Sequence, residues 1–211
     1  HTRLRTVTGV QTCALPDLVE GPWDSLTERT ETVFTGSEFA LLWNRSVVGS
    51  WEAILARFSR EGTPLGEPTT VYSCPSDSKP QLAYGGNVHG VLFAAEYPTP
   101  LEMNKFLALL SDDGELLGDY IEVLSELPAS SLARELAYGE GGFCAAWLND
   151  GDNRIYGVLV GNDGTVAAPE AALTPEGVNS TYTFSIVSAG DEYGLVWSYD
   201  ANLYFARAGC L

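Results

Sequence analysis

The sequence predicts an all-β chain made of about four repeats of a four-stranded antiparallel meander. Three observations predict it. Trp43, Phe93, Trp147 and Trp197 close equivalent apolar segments, at intervals of 50, 54 and 50 residues. The same residue types recur in the columns before them. A Gly-bearing turn follows each of the first three segments at a similar distance, at Gly62, Gly114 and Gly164.

The aromatic segment comes first. Four positions before the closing aromatic stand Phe39, His89, Phe143 and Tyr193. Three before stand Ala40, Gly90, Cys144 and Gly194, all small. Side chains alternate across a strand, so one face carries large residues and the other small and aliphatic ones. Both faces are apolar, which predicts a strand buried on both sides. A following strand is expected at Ala53–Phe58, Lys105–Leu110, Ile155–Val160 and Leu203–Ala208, paired with the aromatic segment as a hairpin. The turns SREG, SDDG and GNDG use Gly for its positive φ. Weaker strands are expected at Thr69–Tyr72, Tyr120–Leu124 and Glu170–Leu173. A strand precedes each aromatic segment at Thr32–Phe34, Leu82–Tyr84, Leu136–Tyr138 and Ile186–Ser188, and LAYG occurs verbatim at Leu82–Gly85 and Leu136–Gly139.

Four strands per repeat of about 50 residues is the pattern of propeller blades. Each blade covers one face of the next, which accounts for an aromatic strand that is apolar on both sides. A long β-sandwich has no reason to repeat its columns. The expected fold is therefore an incomplete β-propeller arc over residues 17–211, with units at about 30–79, 80–131, 132–181 and 182–211. The aromatic–Gly–Leu–Val–Trp segment followed by Leu-Tyr-Phe-Ala-Arg resembles bacterial propeller-repeat proteins with YWTD or WD-like blades. That resemblance implies the fold and leaves function open, since such propellers include binding modules, scaffolds and enzymes.

Residues 1–16 form a separate leader without a repeat column. Val7–Pro16, VTGVQTCALP, is similar to a translated sequencing-library adapter, and the leader is expected to be artefactual or disordered. Asp17–Arg29 is expected to be the outer remnant of a preceding blade, so the chain is read as a fragment of a longer bacterial product.

The chain has 28 acidic and 11 basic residues and a net charge of −17, which disfavours nucleic acid and anionic membranes as partners. No apolar run is long enough to span a membrane as a helix. Cys144 falls in the small-residue column and is expected to be a buried apolar group. Cys74 and Cys210 leave the redox compartment open, and Cys13 lies in the leader. The cysteines have no metal-site spacing.

His89 is the candidate imidazole. Its column is otherwise Phe or Tyr, so it is expected to be structural. No Ser or Cys stands in a nucleophile motif. Asp150 and Asp152 in LNDGDN suggest a calcium loop, but Arg154 sits where a further ligand belongs, and the turn needs no ion. Asn179 opens a glycosylation sequon. Catalytic residues, metal ligands and cofactors are thus all expected to be none.

The longer connections are expected at Asn44–Ser50, Ala95–Asn104, Leu148–Asn153 and Ser198–Ala201, with inter-blade loops near 73–80, 125–131 and 174–181. By meander topology all share one face, where a protein or carbohydrate ligand is expected. The chain is accordingly read as a non-catalytic binding or interaction module, extracellular or in the cell envelope. The alternative is a fragment of a propeller-fold glycoside hydrolase or lyase whose catalytic blades lie elsewhere. Against it, the first strands TVF, LAY, LAY and IVS are poor in carboxylates, with Glu31 and Glu135 just outside them. Open blade faces, with Phe39–Leu41–Trp43 or Tyr193–Leu195–Trp197 near them, are expected to drive self-association.

Overall fold

The computed structural model describes residues 30–75, 79–96, 103–124, 134–149, 151–177 and 183–209. The expectations for the leader, for Asp17–Arg29, and for Cys13, Asp150, Asn179 and Cys210 lie outside them. Among the described residues no helix is long and apolar enough to cross a membrane.

The described residues fold into four antiparallel meander sheets, three of four strands and one of three. The first holds β1 (Thr30–Phe34), β2 (Glu38–Val47), β3 (Ser50–Ser59) and β4 (Thr69–Cys74). The second holds β5 (Gln81–Gly85), β6 (Val88–Glu96), β7 (Met103–Ser111) and β8 (Ile121–Leu124). The third holds β9 (Arg134–Gly139), β10 (Gly142–Asn149), β11 (Arg154–Val160) and β12 (Val166–Ala172). The fourth holds β13 (Phe184–Ala189), β14 (Glu192–Tyr199) and β15 (Asn202–Gly209). The leading strands β1, β5, β9 and β13 pack against one another in succession. The sheets are therefore blades of a β-propeller arc. The first and last share no ladder among the described residues.

The expected hairpins form. Trp43 pairs with Ile54, Phe93 with Phe106, Trp147 with Tyr156 and Trp197 with Tyr204. The three Gly turns share one hydrogen-bond pattern. Gly62 N–H donates to Ser59 O, Gly114 to Ser111 O and Gly164 to Gly161 O, at 3.0, 2.9 and 3.0 Å. Their φ values of 83°, 78° and 82° are the left-handed values that favour Gly. Each third-to-fourth-strand ladder carries a register shift, and a bulge there adds twist at the outer edge of the blade.

Three apolar cores lie between successive blades. The first joins Ala40, Leu42, Leu55 and Tyr72 to Val91, Phe93 and Phe106. The second joins Leu92, Leu107 and Leu109 to Phe143, Ala145 and Trp147. The third joins Cys144, Ala146 and Leu148 to Tyr193, Leu195 and Trp197. The large-residue column of each aromatic strand thus faces the preceding blade, and its small-residue column faces the following one. Burying one such aromatic is worth about 1.5–3 kcal/mol, so these interfaces hold the arc together. β6 and β10 are buried on both faces as expected. β2 and β14 alternate between covered and open, because among the described residues each has a neighbouring blade on one side.

Three expectations need correction. Tyr193, Leu195 and Trp197 were expected near an open face, yet they are buried against the third blade. The open face of the fourth sheet carries Val187, Leu203 and Phe205 instead. The connection expected at Asn44–Ser50 is mostly strand. Val47 pairs with Ser50, leaving a two-residue turn at Val48 and Gly49. Ser198–Ala201 likewise shrinks to Asp200 and Ala201, since Tyr199 pairs with Asn202. Asp200 and Ala201 have positive φ, 47° and 61°, as a primed hairpin turn requires. The ladder runs on through polar residues because backbone groups pair regardless of side-chain polarity.

Candidate functional site

The end of the arc that receives the β4 and β8 exits also carries the connection between β6 and β7. There, between the first two blades, an aromatic-walled pocket of about 420 Å³ opens. Tyr72 from β4 stacks on Phe93 from β6, with centroids 4.0 Å apart and ring planes 8° apart. Phe106 stands 5.7 Å from Phe93, and Tyr120 meets Phe93 edge-on at 5.3 Å. The Tyr120 hydroxyl crosses between blades and donates to Val71 O at 2.8 Å. Burial raises the Tyr120 pKa, so the phenol stays neutral. Ser73, Cys74, Pro75, Ala95 and Asp119 complete the wall. Tyr72, Phe93 and Phe106 are buried, whereas Tyr120 and Asp119 are exposed at the rim. This combination of apolar ring faces with a few polar groups is what a small-molecule pocket needs.

A second group of residues lies on the innermost strands. Glu31, Gln81, Glu135 and Ser185 pair with Leu42, Leu92, Ala146 and Val196, so they occupy one column on β1, β5, β9 and β13. Glu31 and Glu135 were expected just outside these strands; they are inside them, because β1 and β9 begin earlier than the apolar residues indicate. Gln81 is buried, and its Nε2 donates to Pro80 O at 3.3 Å and to Glu31 Oε1 at 3.5 Å. Arg134, beside Glu135, is also buried and donates from Nη2 to Lys79 O at 3.1 Å.

His89 is fully buried in the aromatic column of β6 and packs 4.8 Å from the Tyr84 ring. Its Nδ1 lies 3.1 Å from Ser111 O. A carbonyl only accepts, so Nδ1 carries the proton. Desolvation lowers the His89 pKa, outweighing the Ser111 hydrogen bond and the carboxylates of Asp112 and Glu38. Cys74 and Cys144 are buried thiols, and burial pushes Cys144 up to about 12. Asp152 accepts from Arg154 N–H at 3.1 Å and from the Tyr156 hydroxyl at 2.7 Å, so its carboxylate serves the turn. Among the described residues no group of three or more His, Cys, Asp or Glu side chains is placed to hold a metal ion.

Sequence reasoning missed a polar network at the opposite edge of the arc. Arg57 Nε donates to Glu38 Oε1 at 2.7 Å, and Arg57 Nη1 reaches Asp113 of the next blade at 3.4 Å. The Tyr84 hydroxyl donates to Asp112 Oδ1 at 2.8 Å. Asn162 Nδ2 donates to the Tyr138 hydroxyl at 3.1 Å in the following blade. The two LAYG tyrosines therefore do the same job: each ties the first strand to the turn after the third. The verbatim repeat was the available signal.

No protein-family model matches the chain, and no curated protein matches it in sequence. Solved structures do match it in shape. The crystal structure of the GH43_1 enzyme from Xanthomonas citri complexed with xylose superposes with a TM-score of 0.52 at 10% identity, over 88% of this chain and 71% of that one. The sucrose-6-phosphate hydrolase from Lactobacillus gasseri superposes with a TM-score of 0.51 at 10% identity, over 84% of this chain and 44% of that one. This chain therefore spans less than half the length of the second, and what it shares with both is the fold.

Proposed function

We propose that this chain is a non-catalytic binding module whose ligand is a carbohydrate, held in the aromatic pocket between the first and second blades. The pocket carries the reading. Its volume of about 420 Å³ suits one or two sugar rings. Exposed Tyr120 offers a ring face to sugar C–H groups, while Asp119 and Ser73 offer hydrogen-bond partners to hydroxyls. The two fold neighbours are consistent with this, one being complexed with xylose and the other named for a sugar phosphate.

Calorimetric titration with a panel of mono- and oligosaccharides, xylose included, tests the reading. Tyr120→Ala should weaken binding about tenfold or more, as loss of a stacking anchor does. Tyr120→Phe should retain it, because the hydroxyl is already given to Val71 O. Glu31→Gln should bind normally. Binding that ignores Tyr120→Ala would remove the pocket from consideration.

A second reading, the glycoside hydrolase fragment, is favoured by the placement of Glu31 and Glu135 in one column of the innermost strands, on either side of Gln81. Glycoside hydrolysis uses two carboxylates roughly 5–9.5 Å apart. Turnover of aryl glycosides that Glu31→Gln and Glu135→Gln each abolish would establish this reading and displace the first.

A further inference from the structure

We propose that the pocket between the first two blades selects amino sugars, whose ammonium group meets the Asp119 carboxylate while the sugar ring lies on Tyr120. This inference rests on the carbohydrate reading above and adds a charge preference to it. Among the described residues the pocket wall holds one charged side chain, that of Asp119, and no cation. Tyr72, Phe93, Phe106 and Tyr120 make up most of the remainder. The face of an aromatic ring is its negative side, so these rings also favour a cation.

Two cations on neighbouring strand positions are turned away from the pocket. Lys105 precedes the wall residue Phe106, and strand alternation sends it to the other face of β7. There it is buried, with Nζ over the Trp147 ring of the third blade, 6.0 Å from the centroid. Arg45 lies on the face of the first sheet opposite Leu42 and Ala53, which are the residues that meet the second blade. Its guanidinium donates to the Glu52 carboxylate beside it. A sugar acid or sugar phosphate would thus meet Asp119 with no lining cation to offset the repulsion. An ammonium gains an ion pair and a ring face instead.

Asp119 is held at the rim by its neighbour. Tyr120 donates its hydroxyl to Val71 O at 2.8 Å and stands edge-on to Phe93. Asp119 and Tyr120 are both exposed, so the ion pair is partly screened and its contribution is modest. Together with the cation–π term it corresponds to a preference of about three- to tenfold. The chain's net charge of −17 attracts cations at longer range, and salt screens that attraction.

Calorimetric titration of the whole chain tests the preference. Glucosamine, galactosamine and mannosamine are each compared with the parent hexose and the N-acetyl derivative, and glucuronate and galacturonate serve as anionic probes. At about pH 6 at least one amino sugar should bind about three- to tenfold more tightly than its two neutral counterparts, and the uronates should bind least. Added salt should narrow the gap. Raising the pH well above about 8, where a free amine loses its charge, should abolish it. Burial keeps the Tyr120 phenol neutral there, so the stacking surface is unchanged. Asp119→Asn alters an exposed side chain, should keep the wild-type circular dichroism, and should bring the amino sugar down to its parent hexose. The pH series needs no variant and decides the matter alone if that one misfolds. Neutral sugars that bind as tightly as amino sugars, with Tyr120→Ala weakening both, would overturn the charge preference and leave the carbohydrate reading standing. A preference that survives Asp119→Asn or high pH would also overturn it. Binding of no sugar, charged or neutral, would remove the carbohydrate reading and this inference together.

Discussion

The Phe143 ring lies where a side chain on Gly90 would have to go: a Cβ there would sit 2.5 Å from Cε1 and 2.6 Å from Cδ1. Phe143 is fully buried and pinned edge-on by Tyr138 at 5.0 Å, so the ring has little room to retreat. Gly90→Ala should therefore cost about 1–3 kcal/mol through overpacking. Combined with Phe143→Leu, the two losses should fall short of additive in denaturant titrations. Full additivity would mean the two positions do not meet.

His89 predicts an acid-sensitive interface. Its folded pKa is lowered from the ordinary 6.5, chiefly by desolvation. The carboxylates of Glu38 and Asp112 oppose that shift, and Arg57 adds to it. Above 6.5 the imidazole is neutral in both folded and unfolded chains. As pH falls through 6.5 the unfolded chain takes up a proton that the folded one resists, and stability drops until the folded pKa is passed. His89→Phe restores the residue type found at positions 39 and 143. It should remove this part of the acid sensitivity, read as the difference in thermal midpoint between about pH 8 and about pH 5. An unchanged difference would place the sensitivity elsewhere.

Arg57 separates a consequential ion pair from an incidental one. Its partner Glu38 is 14% exposed and takes two hydrogen bonds from it, at 2.7 and 3.2 Å. The Glu38 hydrogen bond is the largest cause of the raised Arg57 pKa. Asp113 is 84% exposed and 3.4 Å away. Arg57→Ala strands a largely buried carboxylate and should cost about 1–3 kcal/mol. Asp113→Ala should change stability by less than about 0.5 kcal/mol. Urea midpoints of the two variants check the contrast, and equal losses would contradict it.

The repeat columns reveal the strands, their pairing and the turns, because period-two alternation and a Gly with positive φ are local properties. They also place Cys144 and His89 inside the sheets. Alternation says which residues share a face, but not which neighbour that face meets. It therefore points to Tyr193 and Trp197 as residues of an open face, which in fact belongs to Phe205. Strand ends are misjudged for another reason. Backbone pairing carries β2 past Trp43 through Asn44, Arg45 and Ser46, where no apolar pattern marks it. The pocket is illegible in sequence because Tyr72, Phe106 and Tyr120 come from three segments of two blades, with no common spacing. Arg57 reads as a surface cation until the next blade brings Asp113 to it.

Thiol reactivity offers a local probe of blade opening. Cys144 shares the third inter-blade core with Tyr193 and Leu195, and burial raises its pKa to about 12. The thiolate is the reactive species, so the folded chain should leave Cys144 inert twice over, by exclusion and by protonation. Cys74 is similarly buried at the first interface. Alkylation followed by peptide mapping should show Cys144 labelled only as fast as the blades separate, while Cys74, in the wall of the open pocket, reports separately on the first interface. Mild denaturant should accelerate both well below the global transition if the blades separate independently of one another. Tyr193→Ala removes a buried ring from the core that holds Cys144. It should therefore speed labelling there and leave Cys74 unchanged, since a different interface covers Cys74. Equal acceleration at both sites would show that the arc opens as one cooperative unit, and rapid labelling of Cys144 in the untreated wild type would contradict its burial.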